Sequence, residues 1–313
     1  MNGERRLGAL ASAASLFREL LVSPPGRQAR TYLDGRGIGA GPECDAYLLG
    51  YAPERPVLLE RLRSEGFLPD DVVDAGLAKR RDDGKLVVRF RNRIAFPVRD
   101  LDGAVVGFSC RALDDERRPK YLNGPETPLF RKRSLLYGLF ELLAATGRPD
   151  VAVIVEGQMD VLALRRVGCG AVSPLGTAFS GPHARILARY FRDVVFLFDA
   201  DEAGEAAARR ALLEVAWAGR RLFTSLRVAT LDEGSDDPAA VVLAKGPRPI
   251  EVALREARDF AGVFSSTREG FGDACAVALA LGDADEAAEL VADAHGVSVE
   301  VARRGMRKIA ASA

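Results

Sequence analysis

From Val151 onward, apolar runs with strand character alternate with runs that have helical spacing. Four such pairs follow one another: VAVIVE before MDVLALRRV, GAVSPLG before PHARILARYF, DVVFLFD before EAGEAAARRALLEVAWAG, and SLRVATL before PAAVVLAKG. This alternation predicts a parallel sheet with helices on both faces. In sheets of this kind, functional groups lie just beyond the carboxyl ends of the strands.

Acidic residues stand at two of these strand ends. Glu156 follows VAVIV, and Asp199 and Asp201 follow VVFLF. If the two strands are neighbours, the three carboxylates converge on one edge of the sheet. A cluster of oxygen ligands without histidine or thiolate suits Mg²⁺ or Mn²⁺, and clustered acids left without a cation would raise one another's pKa. The pattern therefore favours a metal site for phosphoryl-transfer chemistry.

A competing interpretation treats these acids as caps of the helices that follow. Acidic side chains at helix N-termini accept backbone hydrogen bonds and interact favourably with the helix dipole. We adopt that interpretation for Asp160, Glu202 and Glu205, and both interpretations stay open for the three strand-end acids. Gly157 and Gly204 stand where a turn between strand and helix needs a positive φ or a close backbone approach.

Positive charge is concentrated before this alternating region. The chain carries 44 Lys and Arg residues and 44 Asp and Glu residues, yet residues 79–133 hold 15 of the former and 8 of the latter. Arg89, Arg91 and Arg93 alternate, which predicts one face of a strand. A row of cations is the geometry of a surface that follows a phosphate backbone.

The rest of the chain predicts a helical start and a helical end. Residues 1 to about 80 are predicted to be mostly helical, with a break at Pro24 and Pro25. LVVRFR, RIAFPVRD and AVVGFSCRA predict strands, and Asp102-Gly103 predicts a hairpin turn between the last two. From about Thr267 the pattern indicates short helices.

Several classes of protein are excluded. No two cysteines are close in sequence and only two histidines occur, which excludes a structural zinc site on ligand count; these residues are Cys44, Cys110, Cys169, Cys275, His183 and His295. No run approaches the ~20 apolar residues of a membrane span. The arginine-containing N-terminus continues without a break into a helical pattern and does not predict a signal peptide, so we expect a cytoplasmic protein.

Two groups of motifs together resemble a known family. VEGQMDVLAL, with FDADEAG beginning near Asp199, resembles the TOPRIM module of primases, topoisomerases and some nucleases. The segment RFRNRIAFPVRDLDGAVVGFSCRALDDERRPKYLNGPETPLFRKRSLLYG is similar to the basic subdomain of DnaG-type bacterial primases, and KYLNGPETPLF is specific to them. SPLGTAFS resembles their loop after the second TOPRIM strand. The likeness extends over roughly residues 10–265, and GVSVEVARRGMRK resembles the helical bundle that closes the primase core.

The resemblance implies an α/β chain in three parts. Residues 1–148 would form an α+β basic subdomain, helical and then β-rich. Residues 149–247 would form the TOPRIM metal-binding subdomain with its parallel sheet, and residues 248–313 a small helical subdomain. Gly157, Gly176 and Gly204 would serve as structural turns.

The resemblance also implies site residues. Glu156, Asp199 and Asp201 match the catalytic, metal-binding acids, with Asp237 as a further ligand. The family's Asp-Pro-Asp has Ala239 in place of its second aspartate here, and Asp236 is the nearest substitute. The residues predicted to bind nucleic acid or nucleotide are Arg89, Arg91, Arg93, Arg99, Arg111, Lys120, Asn123 and Lys132. Tyr121 and the turn from Pro125 to Thr127 are interpreted as scaffold.

The implied activity is that of a DNA primase, a DNA-directed RNA polymerase. It would use Mg²⁺ or Mn²⁺ to synthesise short RNA primers from ribonucleoside triphosphates on single-stranded DNA, in the cytoplasm at the nucleoid or replication fork. The family's zinc-binding and helicase-binding domains do not match this sequence, so it is either a shortened form or a short relative whose template recognition comes from elsewhere. The further partners considered are the replicative helicase and a separate zinc-binding module. The alternatives are a TOPRIM-type nuclease, or a non-catalytic single-stranded DNA-binding module with a degenerate metal site.

Overall fold

The computed structural model describes residues 2–39, 41–114, 118–145, 150–199, 201–218, 222–232, 237–264, 268–281 and 284–312. It divides into two compact units, Met1–Thr146 and Gly147–Ala313. The predicted boundary near residue 148 agrees with this division. The further boundary at residue 248 stays a prediction, because the C-terminal helices belong to the same unit as the parallel sheet.

The first unit begins with helices and continues into short and long strands. Its elements in chain order are α1 Asn2–Val22, a 3₁₀ turn Pro24–Gly26, α2 Arg27–Gly35, α3 Pro42–Ala46, β1 Gly50–Ala52, α4 Val57–Ser64, α5 Pro69–Asp74, β2 Ala78–Arg80, β3 Leu86–Val88, β4 Arg93–Arg99, β5 Val105–Ala112, β6 Tyr121–Asn123, a 3₁₀ turn Lys132–Ser134, β7 Leu136–Tyr137 and α6 Leu139–Ala144. The predicted break at Pro24 and Pro25 is confirmed.

An antiparallel sheet in the order β1-β4-β5-β6 forms the centre of this unit. β4 and β5 are joined by the predicted turn, in which Gly103 has φ +87° and Asp100 N donates to Ala104 O at 3.0 Å. β2 and β3 form a separate antiparallel hairpin. The predicted strand LVVRFR is wrong beyond Val88, because residues 89–92 do not belong to a strand and Asn92 has φ +48°.

Helix α1 packs on the sheet through small and aromatic side chains. Phe17 is buried with its ring 5.5 Å from that of Phe108, edge to face. Burying a side chain of this size contributes about 2–3 kcal/mol, and the edge-to-face contact adds roughly 1 kcal/mol. Gly50 of β1 allows this close packing, since a Cβ there would lie 2.5 Å from the Cβ of Phe17.

The second unit contains the predicted alternation of strands and helices. Its elements are β8 Val151–Ile154, α7 Gln158–Arg166, β9 Ala171–Pro174, α8 Gly181–Leu187, β10 Asp193–Leu197, α9 Glu202–Ala218, β11 Ser225–Ala229, α10 Pro238–Lys245, α11 Arg248–Arg255, β12 Arg258–Asp259, α12 Phe260–Val263, α13 Arg268–Leu281, α14 Ala284–His295 and α15 Val299–Ser312. Each of the four predicted strand and helix pairs is confirmed within a few residues.

Within this unit the strands are ordered β12-β11-β10-β8-β9. The pairs β9–β8, β8–β10 and β10–β11 are parallel, as predicted, and the edge strand β12 pairs with β11 in the antiparallel sense. α7 packs against α10 and α8 packs against α9, as expected when helices cover both faces of a parallel sheet. No described helix is long and apolar enough to cross a membrane.

Candidate functional site: a carboxylate-rich sheet edge and a basic surface

Strands β8 and β10 bring two of the predicted acids to the same edge of the sheet. The two strands are adjacent and parallel, with Ile154 paired to Phe196. Glu156 lies two residues beyond that pair on β8, and Asp199 lies three residues beyond it on β10. Glu156 is exposed and Asp199 is half-buried. This register confirms that β8 and β10 are parallel neighbours, while the convergence of their acids on one site stays a prediction.

Asp160 is buried near this edge of the sheet. The sequence predicted it only as a helix cap, but it makes a second contact as well. Its side chain caps α7 as predicted, with Oδ2 accepting from Gly157 N at 3.1 Å. Its other oxygen, Oδ1, accepts from Ala239 N at 3.1 Å. The residue is only 5% exposed. Burial, together with the carboxylates of Asp237 and Asp199, raises the pKa of Asp160 to about 7.

Two further predicted ligands begin helices. Asp237 precedes α10, and its Oδ1 accepts from Ala240 N at 2.8 Å. Asp201 precedes α9, and its Oδ1 accepts from Gly204 N at 2.7 Å. The capping interpretation therefore applies to one oxygen of each, which leaves a second carboxylate oxygen for other contacts. Asp236 lies outside the described residues.

The glycines at these turns are required by close approaches. A Cβ on Gly204 would lie 2.1 Å from Asp199 O, and a Cβ on Gly157 would lie 2.9 Å from Asp160 Oδ2. Gly157 has φ −121°, so close approach is the constraint there and not a left-handed conformation. Gly176, the third predicted turn, does adopt a left-handed conformation with φ +65°.

The donor set fits a hard divalent cation, although its arrangement differs from the prediction. Among the described residues, no three Asp, Glu, His or Cys side chains are placed to enclose an ion. Glu156, Asp199 and Asp201 therefore do not form a closed ligand cluster here. The charges of Asp237 and Asp199 act on Asp160 and contribute to its raised pKa. Such repulsion between oxygen ligands is what binding of Mg²⁺ or Mn²⁺ would relieve.

Three arginines of the predicted basic row line one cavity of the first unit, but they do not lie on one strand face. Arg89 and Arg91 follow the end of β3, and Arg93 begins β4. All three line a cavity of about 610 Å³. Arg91 is partly exposed, with Nη1 3.9 Å from Glu54 Oε1. Arg93 is buried, and its Nη1 donates to Cys110 O at 3.3 Å and to Lys120 O at 3.2 Å.

Arg99 makes structural contacts, and the expectation that it binds nucleic acid stays a prediction. Its Nη2 lies 2.7 Å from Glu141 Oε1, and both side chains are largely buried. The guanidinium also stacks on the Phe140 ring at 4.4 Å and donates to Ala46 O. Burial raises the pKa of Glu141, and the Arg99 charge offsets part of that increase.

The remaining predicted contacts fall into two groups. Arg111 is buried, with its guanidinium 5.1 Å from the Tyr32 ring and 5.4 Å from the Tyr121 ring. Lys120 is exposed, whereas Asn123 and Lys132 are half-buried. Lys132 Nζ lies 3.9 Å from Glu126 Oε1. Arg111 thus fixes the two tyrosines, which agrees with a scaffold role for Tyr121, while Lys120 faces solvent.

The turn from Pro125 to Thr127 is also scaffold in the structure. Thr127 Oγ1 accepts from Phe130 N at 2.9 Å, and the Phe130 ring is buried beneath β5. A Cβ on Gly107 would lie 2.2 Å from that ring, and a Cβ on Gly76 would lie 2.7 Å from Pro125. Both glycines therefore allow the turn to pack directly on backbone.

Comparison with known proteins matches both units. The family model described as the N-terminal domain of the DNA primase catalytic core matches residues 16–143, and a Toprim domain model matches residues 150–221. A DNA primase of Pseudomonas putida is 41% identical over 244 residues, which is 76% of this chain and 36% of the relative. A DNA primase of Legionella pneumophila is 42% identical over 204 residues, 65% of this chain and 35% of the relative. The chain thus spans about a third of the length of these curated relatives.

Solved structures match over almost the whole chain. A DNA primase domain from Pseudomonas aeruginosa is 34% identical with a TM-score of 0.83, covering 96% of this chain and 99% of that one. A DnaG primase catalytic domain bound to ssDNA is 29% identical with a TM-score of 0.82, covering 94% and 99%. Fold, motifs and identity agree along both units, and the chain belongs to the family of DnaG-type DNA primase catalytic cores.

Proposed function

We propose that this chain synthesises short RNA primers on single-stranded DNA, as a DNA-directed RNA polymerase. The observation that carries the proposal is the parallel pairing of β8 with β10, which brings Glu156 and Asp199 to the edge where Asp160 is buried. Membership of the primase family supports the same reaction. The proposed substrates are a single-stranded DNA template, ribonucleoside triphosphates and the growing RNA primer.

We propose Mg²⁺ or Mn²⁺ as the cofactor. The proposed ligands are Glu156, Asp199, Asp201 and Asp237, with Asp160 added because the charges of Asp199 and Asp237 act on it. When bound, a divalent cation neutralises charge on the triphosphate and on the attacking hydroxyl. The backbone donors Gly157 N and Ala239 N hold Asp160 in place before substrate arrives.

The reaction needs no covalent intermediate with the protein. The primer 3′-hydroxyl attacks the α-phosphate of the incoming nucleotide, loses its proton, and pyrophosphate leaves. Glu156 is exposed at the sheet edge, where it serves either as a ligand or as the acceptor of that proton. The cations that line the cavity of the first unit attract the phosphates of template or nucleotide.

A single assay tests the proposal. Labelled ribonucleotides, single-stranded DNA and Mg²⁺ or Mn²⁺ are incubated with the protein, with and without a supplied RNA primer. We expect extension products that disappear when the divalent cation is chelated, while DNA binding persists. Cleavage of the DNA would instead identify a nuclease, and binding without either product would identify a non-catalytic module; both results would overturn the proposal.

The proposed partners are the replicative helicase or a separate zinc-binding module, and the proposed location is the replication fork in the cytoplasm. Support for these comes from membership of the primase family. Co-purification of the protein with a helicase from the same cells would test the first partner.

A further inference from the structure

The backbone pairing of β8 with β9 stops at a proline. Val155 N donates to Val172 O at 3.0 Å, in step with the pairing of Ile154 with Val172. In a parallel ladder the next donor along β9 is the amide of the residue two positions further on. That residue is Pro174, which has no N–H. The backbone ladder therefore cannot continue to Glu156.

The side chain of Ser173 connects the two strands beyond this point. Its Oγ donates to Glu156 O at 2.9 Å and also lies 3.1 Å from Pro174 O. Ser173 is fully buried, so bulk solvent does not compete for its hydroxyl. A side-chain donor on β9 thus takes over where the proline removes the backbone donor.

The peptide group between Glu156 and Gly157 is held at both ends as a result. Its carbonyl oxygen accepts from Ser173, and its N–H donates to Asp160 Oδ2 at 3.1 Å. Because a peptide group is planar, these two bonds together restrict the ψ of Glu156 and the φ of Gly157. A hydrogen bond to the carbonyl also polarises the peptide and strengthens the bond that its N–H donates.

The same peptide links Ser173 to the buried carboxyl group of the sheet edge. Asp160 Oδ1 accepts from Ala239 N at 3.1 Å, in addition to the bond from Gly157 N to Oδ2. One series of hydrogen bonds therefore runs from β9 through the end of β8 to α7 and α10. It begins at a serine hydroxyl to which the proposed function gives no role.

We propose that Ser173 is a positioning residue for the site at this sheet edge. Its hydroxyl holds the peptide between Glu156 and Gly157, and through that peptide it orients Glu156 and Asp160 before a divalent cation binds. Groups that are already in place need no reorganisation during the reaction. The inference rests on the proposed function, because it assigns Ser173 to the reaction proposed for Glu156.

The first test measures the held peptide directly, by amide hydrogen exchange at Gly157. Ser173→Ala removes only the hydroxyl. The matched control is Ser180→Ala, which removes another buried hydroxyl of the same unit, whose Oγ lies 3.0 Å from His183 Nδ1. We expect exchange at Gly157, followed by NMR, to become about 5-fold faster in Ser173→Ala and to stay unchanged in the control. Unchanged exchange in Ser173→Ala would overturn the proposal.

The second test separates positioning from a general loss of stability. Binding of Mn²⁺ to each protein, without nucleotide or DNA, is measured by electron paramagnetic resonance of the free ion. We expect Ser173→Ala to weaken Mn²⁺ binding about 5-fold and Ser180→Ala to leave it unchanged. Equal affinities in both variants would show that Ser173 only supports the fold, and the proposal would be wrong.

A variant that keeps the hydroxyl provides the rescue. Ser173→Thr retains the donor to Glu156 O and should restore both slow exchange at Gly157 and the parent's Mn²⁺ affinity. A threonine variant that behaves like Ser173→Ala would count against the proposal. Neither measurement requires synthesis, so failure of the parent protein in primer extension would contradict the proposed function while the exchange result still decides the role of Ser173.

Discussion

The buried charged side chains of the two units have opposite surroundings. In the first unit, buried cations are matched by acceptors or aromatic rings: Arg99 by Glu141 and Phe140, and Arg111 by Tyr32 and Tyr121. In the second unit, the carboxyl of Asp160 is buried at the sheet edge, where the charges of Asp237 and Asp199 raise its pKa further. The first arrangement stabilises the fold, whereas the second costs free energy.

This difference separates structural charge from functional charge. A matched charge needs nothing from outside the protein. Asp160 is held by backbone donors that do not neutralise it, namely Gly157 N and Ala239 N. The sheet edge around Asp160 is therefore where we expect a cofactor.

The largest expected effect is on synthesis when an acid at the sheet edge is neutralised. Asp199→Asn should lower primer extension by about 1,000-fold, because a lost ligand removes charge stabilisation in the transition state. Single-stranded DNA binding should change little. The control is Asp193→Asn at the opposite end of the same strand, β10. Equal loss in both variants, measured by labelled nucleotide incorporation, would contradict a special role for the edge.

Breaking the buried ion pair of the first unit should damage stability. Glu141→Ala leaves the Arg99 charge buried without its partner, which costs about 3–5 kcal/mol in free energy of unfolding. Urea unfolding of the variant and of the parent protein measures this change in the free energy of unfolding. Glu141→Leu combined with Arg99→Met should recover most of the loss, because an apolar pair needs no partner. A loss below about 1 kcal/mol for Glu141→Ala would show that this pair is not a structural element.

A smaller loss of stability is expected when Arg111, which lies near two tyrosine rings, is replaced by lysine. Arg111→Lys keeps the charge but loses the planar group that lies near Tyr32 and Tyr121. The expected cost is about 1–2 kcal/mol in unfolding free energy. The salt slope of DNA binding should stay unchanged. A changed slope with normal stability would instead place Arg111 among the phosphate contacts.

The smallest expected effect comes from a partly exposed cation of the cavity. Arg91→Ala should leave the unfolding free energy within about 0.5 kcal/mol and reduce the salt slope by about 0.7. Arg27→Ala, which removes an exposed charge at the start of α2, is the control of equal charge. If both variants give the same salt slope, DNA does not contact the cavity cations more than other exposed cations of the protein.

The order and type of elements in the second unit were predictable because each is a local pattern. Strand and helix periods alternate there, and the parallel pairing follows from that alternation. The role of Asp160 was only half predictable. Its contact with Gly157 N is local and follows from helix capping, but its contact with Ala239 N joins residues 79 apart in sequence.

The basic unit was less predictable for a similar reason. The alternation of Arg89, Arg91 and Arg93 predicted a strand, but a positive φ at Asn92 interrupts it. The Arg99–Glu141 pair joins residues 42 apart in sequence, and nothing in either local segment indicates it.

The hydrogen bond from Ala239 N to Asp160 determines which substitutions position 239 tolerates. Family resemblance suggests an aspartate there, yet the contact is made by the main chain, so it survives the change to alanine. Every amino acid except proline supplies the same donor. Alanine codons (GCN) become proline codons (CCN) through a single base change. Among the single-base changes open to this codon, that one alone would remove the bond that holds Asp160.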